Sequence, residues 1–182
     1  MKKAILIILL FYSSLLWRGA GREVCAQDKH LIDSLQQQLA NHNATKLELG
    51  KNISPLYDTI QANLLNNLTN AWMDFNNDSA MTYANHLLKL SEKMRYKKGI
   101  ANSASALGLI MQGKGDFPAA LVLHRRALKI RDEIEDKNGL AASTNNIGAV
   151  YLLQDNYPEA LKYFFYSNAS ERANRKQRVV SI

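Results

Sequence analysis

The sequence predicts an all-α chain: antiparallel helix pairs stacked as a solenoid of about three units, following an N-terminal helix. Three observations carry this. From residue 28 onward apolar residues recur at helical spacing, with no sustained strand alternation. Short turn signals punctuate that pattern: Asn76-Asn77-Asp78, Lys97-Lys98-Gly99, Gly113-Lys114-Gly115-Asp116, Asn138-Gly139 and Asp155-Asn156. The third is self-similarity at an offset of 40 residues, the mark of supersecondary units that bury their apolar faces against one another.

Residues 1–26 read as an export signal. Lys2 and Lys3 precede an apolar run over residues 4–17, interrupted only by Ser13 and Ser14. The run is short of the ~20 residues that span a hydrocarbon core. Val24-Cys25-Ala26 then offers a small-residue site, with cleavage expected before Gln27. An uncleaved anchor is one rival; lipid attachment at Cys25 is another, which Glu23 and Val24 do not suit. The 182 residues carry a formal charge of +7 and one Cys. Lys2, Lys3, Arg18 and Arg22 outweigh Glu23 in the leader, and Arg172, Arg175, Lys176 and Arg178 outweigh Glu171 in the tail. The intervening body is nearly neutral, which argues against nucleic acid as the partner. Cys25 leaves with the leader, so a disulfide within one mature chain is excluded.

Residues 27–57 hold a short helix and a connector. Leu31, Leu35 and Leu39, with Ile32 beside them, form one apolar stripe, and 41–55 read as polar connection. Three units follow, over 58–97, 98–137 and 138–170, the last incomplete. Lys98-Gly99-Ile100-Ala101 recurs as Asn138-Gly139-Leu140-Ala141, Leu107-Gly108 as Ile147-Gly148, and Asp116-Phe117-Pro118-Ala119-Ala120-Leu121 as Asn156-Tyr157-Pro158-Glu159-Ala160-Leu161. A degenerate copy places Leu68, Trp72 and Ala80 in the matching positions. Gly108 and Gly148 sit mid-helix, where glycine costs roughly 1 kcal/mol against Ala. That cost implies a helix crossing too close for a side chain, with Ala120 and Ala160 as the expected opposing residues. Pro118 and Pro158 fall in the first turn of each second helix, where no amide donor is lost. Trp72, Met111 and Tyr151 are expected between the paired helices. Residues 171–182 form a basic, irregular tail without the polar-faced cap that such a stack requires, so the chain reads as stopping inside an array.

These units resemble tetratricopeptide repeats, with large–x–x–Leu–Gly–x–x–Tyr on the first helix, Ala and an aromatic on the second, and Pro at the turn. Ile147, Gly148, Tyr151, Tyr157, Pro158, Ala160 and Phe164 carry the likeness in the third unit. The second has Leu107, Gly108, Phe117, Pro118, Ala120 and Ala127, with Met111 and His124 in place of aromatics; the first has Thr69 for the Gly and no Pro. The resemblance covers about residues 58–170 and implies a right-handed solenoid that binds protein or peptide. The 40-residue period exceeds the common 34. It resembles the repeats in exported sensor regions of bacterial histidine kinases and related regulators.

Catalytic chemistry is not indicated. Gly108 to Lys114 matches a phosphate-binding loop until Gly115 replaces the required Ser or Thr, and the run ends a helix instead of opening one. His30, His42, His86 and His124 have no metal-ligand spacing, and His124 is expected to be a packed, hydrogen-bonded core residue. No cofactor and no metal are expected. The candidate binding face is the groove lined by successive first helices: Asn63, Asn66 and Asn70, then Asn102, Ser105 and Leu109, then Asn145, Ala149 and Leu152. A row of Asn suits a partner's main chain, since each amide donates and accepts. This groove lacks the paired Lys/Arg of a carboxylate clamp. The expected function is an exported, non-catalytic module binding protein or peptide, as a sensory or scaffold part of a signalling system. The alternative is an N-terminal portion of a membrane-bound sensor histidine kinase or adenylate cyclase. Self-association through the uncapped C-terminal unit is a second partner expectation.

Overall fold

The computed structural model describes residues 28–48 and 55–167. The leader, its cleavage site and the basic tail lie outside the described residues. Within them the chain forms seven helices and no strand. These are α1 (28–48), α2 (Pro55–Met73), α3 (Asn77–Met94), α4 (Lys97–Gly113), α5 (Phe117–Glu133), α6 (Lys137–Leu153) and α7 (157–167). From α2 to α6 each helix packs against its successor, and α2 also touches α4 and α4 touches α6. This is the contact pattern of stacked helix pairs, an all-α solenoid. No described helix is long and apolar enough to cross a membrane.

The four turns from α3 to α7 share one construction. Backbone N–H groups of Tyr96, Asp116, Asp136 and Asn156 reach back five residues to the carbonyls of Ser91, Met111, Arg131 and Tyr151, at 2.8–2.9 Å. Such a closure needs a left-handed residue just before the donor. Those residues are Arg95, Gly115, Glu135 and Asp155, with φ of 55°, 80°, 55° and 57°. The donor then caps the next helix where its side chain allows: Asp116 accepts from Ala119 N, and Asp136 from Gly139 N. Asn76 does the same for α3 through Asp78 N and Ser79 N.

Two expected turns are displaced. Lys97-Lys98-Gly99 and Asn138-Gly139 lie in the first turns of α4 and α6, not between helices. Gly99 and Gly139 serve close approach instead. A Cβ on Gly99 would stand 2.2 Å from Ser91 Oγ, and one on Gly139 would stand 2.7 Å from Arg131 Cδ. The connector expected over 41–55 is also shorter, because α1 continues to residue 48. His42 extends its buried stripe beyond Ile32 and Leu35 and stacks on Tyr57, with ring centroids 3.9 Å apart. Lys46 pairs with Asp58 and donates to Gln61 Oε1.

The core follows the repeat. Leu68, Leu107 and Ile147 are buried at matching places, and Ala80, Ala120 and Ala160 are almost wholly enclosed. Trp72, Met111 and Tyr151 are half-buried, and Tyr151 stacks on Tyr163. Gly108 and Gly148 do mark close crossings. The side chains that fill the space are His124 and Phe164, one turn beyond the expected Ala120 and Ala160; at Gly148 the backbone oxygen of the expected Ala160 also lies close, 3.3 Å from a Cβ placed there. By register the first unit holds the reverse combination, Thr69 on α2 and Ala84 on α3, both buried. Bulk removed from one helix is restored on its neighbour, which keeps the interior filled.

Candidate functional site

The buried stripe of α5 runs Ala120, His124, Ala127, Arg131; that of α3 runs Ala80, Ala84, Leu87, Ser91. The two are in the same register, so a guanidinium stands where the first unit has a hydroxyl. Arg131 is only 7% exposed. It reaches from α5 to both neighbouring first helices. Its Nη1 donates to Ser143 Oγ at 2.6 Å and to Gly139 O at 3.0 Å, and Nη2 donates to Asn102 Oδ1 at 3.3 Å. Gly139 makes the room, since any Cβ there would strike Arg131 and Asp136. Burial draws the Arg131 pKa below its ordinary value, while the negative charge of Asp136 acts in the opposite direction.

His124 lies fully enclosed on the same stripe, under Gly108. Its pKa falls to about 4, first because burial disfavours the imidazolium and second because Arg131 repels it. It is packed as expected but not hydrogen-bonded, for neither ring nitrogen has a partner. The close approach of α4 leaves no polar group within reach.

A cavity of about 190 Å³ opens between α2 and α4 with Arg131 in its wall; Asn66, Asn70, Met73, Asn102, Ser105, Ala106 and Leu109 complete the lining. Asn66, Asn70, Asn102, Ser105 and Leu109 were expected in the groove and come together here. The other four do not line it. Asn63, Asn145 and Leu152 are exposed and Ala149 is half-buried. The polar link between α6 and α4 comes instead from the residue after Asn145, as Asn146 Nδ2 donates to Ser105 Oγ at 3.4 Å. A larger cavity of about 520 Å³ lies among α5, α6 and α7, lined in part by Arg125, Lys129, Leu140 and Tyr163 and by no expected groove residue.

Arg131 escaped the groove prediction because it comes from a second helix, whereas the groove was read from first helices alone. Its signal was the change from Ser91 to Arg131 at the 40-residue offset. Lys114, the last residue of the loop-like run, pairs with Asp78 at 3.1 Å. No His, Cys, Asp and Glu cluster suited to a metal occurs among the described residues.

A family model described as "SusR N-terminal TPR domain" matches residues 23–123, more than half of the chain. The chain belongs to the tetratricopeptide repeat family. A second model, described as "Tetratricopeptide repeat", matches residues 99–164 of this TPR chain. Among solved structures, BtubC (BKLC) from P. vanneervenii is similar at 23% identity and a TM-score of 0.57, over 63% of this chain. The TPR chain spans about half of that protein, 48% of its length. MamA is similar at 18% identity and a TM-score of 0.52, over 80% of this chain and 81% of MamA. At these identities the likeness concerns the fold. No curated protein is a significant match in sequence. TPR domains in general mediate protein–protein interaction, and their repeat fold is generally non-catalytic.

Proposed function

We propose that this chain is an exported, non-catalytic TPR module that captures a protein or peptide segment along the faces of α2 and α4. It acts as a sensory or scaffold part of a signalling system. One observation carries the binding claim: Asn66, Asn70, Asn102, Ser105 and Leu109 converge on a single cavity from two separate helices. Amides that both donate and accept match the alternating polarity of an extended main chain. The leader pattern in residues 1–26 supports export, and the likeness of the long repeat to sensor regions supports a signalling role.

The rival reading makes the chain the N-terminal portion of a membrane-bound sensor histidine kinase or adenylate cyclase. Leu153, Leu161 and Phe165 stand 53%, 54% and 70% exposed on the last unit, and a following unit or a second copy would pack there.

The test is selection from a random heptapeptide pool by the purified chain on beads. Recovered peptides should bind wild type and lose affinity with Asn66→Ala and Asn102→Ala, while Asn145→Ala leaves it unchanged. Circular dichroism checks that each variant is folded. Equal recovery by folded Asn66→Ala and Asn102→Ala would refute the groove.

A further inference from the structure

We propose that the cavity among α5, α6 and α7 binds a small organic anion with an aromatic body. It shares no lining residue with the cavity between α2 and α4, so this site is additional to the peptide groove.

At about 520 Å³ the cavity lies within the range of small-molecule sites. One stripe of α5 faces it, Arg125, Leu128, Lys129 and Asp132, at the spacing of a single helix face. The α7 helix supplies Lys162, Tyr163 and Tyr166, and α6 supplies Leu140 and the buried Thr144. The Thr144 hydroxyl donates to Leu140 O at 2.7 Å, so that part of the wall has its polar group already engaged.

The repeat shows what differs at this joint. One period earlier, Arg126 of α5 pairs with Glu92 of α3 at 2.7 Å and ties the two second helices together. The residues 40 further on are Tyr166 and Asp132, and no such link joins α7 to α5 there. A cross-tie between second helices is thereby replaced by an aromatic ring at the cavity wall.

Charge selects the occupant. Three cations line the cavity against one acid, Asp132. Arg125 and Lys129 make no ion pair within 4 Å among the described residues, and Lys162 has only Glu159 of its own helix at 3.5 Å. Tyr151 sets the geometry on both sides. Its hydroxyl accepts from Arg125 Nη2 at 2.7 Å, and its ring stacks on Tyr163 at 5.6 Å. A cation and an aromatic wall are thus held in place before any ligand arrives, which lowers the cost of binding. Leu128, Leu140, Tyr163 and Tyr166 suit a flat apolar body, and Arg125 and Lys129 suit its anionic group.

The experiment titrates the full chain with two fluorescent dyes, anilinonaphthalene sulfonate and phenylnaphthylamine, which share their rings and differ by the charge. The sulfonate should bind at one saturable site. The double variant Arg125→Gln/Lys129→Gln, at two exposed positions, should weaken the sulfonate about tenfold and the neutral dye less than about twofold. Tyr166→Ala should weaken both dyes. Leu161→Ser, at an exposed residue outside the cavity, should change neither. Circular dichroism checks each fold. Absence of saturable binding, or equal sulfonate affinity in wild type and the folded double variant, overturns the proposal. So does an equal loss of both dyes in that variant, and so does loss of the sulfonate in folded Leu161→Ser, which would place the dye on the exposed end of the stack.

Discussion

A Cβ on Gly108 would stand 2.6 Å from the ring of His124, closer than packed atoms ever come. The glycine of α4 and the imidazole of α5 are therefore one packing unit. Gly108→Ala gains helix propensity but forces the enclosed ring aside, and overpacking of this kind costs about 1–3 kcal/mol. Gly113, at the end of the same helix, has only Asn77 Nδ2 at 3.9 Å. Gly113→Ala should be neutral or stabilising by up to about 1 kcal/mol. Urea unfolding should show Gly108→Ala destabilised and Gly113→Ala not destabilised.

The buried imidazole makes stability depend on pH. Its folded pKa of about 4 lies below the ordinary 6.5, so the unfolded chain takes up the proton first as pH falls. The contribution is complete above pH 6.5, declines between 6.5 and 4, and amounts to about 3 kcal/mol at most. His124→Phe, which copies the Phe164 opposite Gly148, should flatten this part of the profile. Unfolding curves at pH 7.5 and 4.5 compare the two proteins; an equal drop in both would assign the loss elsewhere.

Ser143 Oγ accepts from Arg131 Nη1 at 2.6 Å inside the stack. Ser143→Ala leaves a buried charged donor unanswered, and should cost about 1–3 kcal/mol in urea unfolding. Ser103, also fully buried, has a local partner in Ile100 O. Ser103→Ala should cost less, about 1 kcal/mol.

The stacked pair His42 and Tyr57 anchors the end of α1 to α2. Tyr57→Ala should detach that end while the repeats stay folded. Faster amide exchange confined to residues 41–48, at unchanged protection of α4 and α5, is the expected hydrogen-exchange result. Loss of protection throughout would show that α1 is part of the same cooperative unit.

Much of this fold was legible in the sequence, because identical packing problems were solved twice at a fixed spacing. Gly108 and Gly148 announced a close crossing simply by being expensive in mid-helix. Gly99 and Gly139 were misread, since a glycine beside Lys or Asn looks like a turn. Here the turns fall to Arg95 and Glu135, which adopt the left-handed conformation despite carrying side chains. The end of α1 was hidden because residues 41–48 are polar except for Ala44 and Leu47, and their helix depends on contacts with α2 that no local pattern reports. Arg131 was invisible to a groove read helix by helix, since its guanidinium reaches the cavity wall across the joint from α5.

That joint separates what the repeat shares from what it does not. Advance the chain by one period and the glycine recurs, the alanine recurs, and the hydroxyl of Ser91 becomes the guanidinium of Arg131. An array rebuilt from copies of the first unit would hold a hydroxyl at every such joint. One rebuilt from copies of the second would carry a charge at every joint. The packing residues of this molecule are periodic, and the buried guanidinium stands at a single interval within the described repeats.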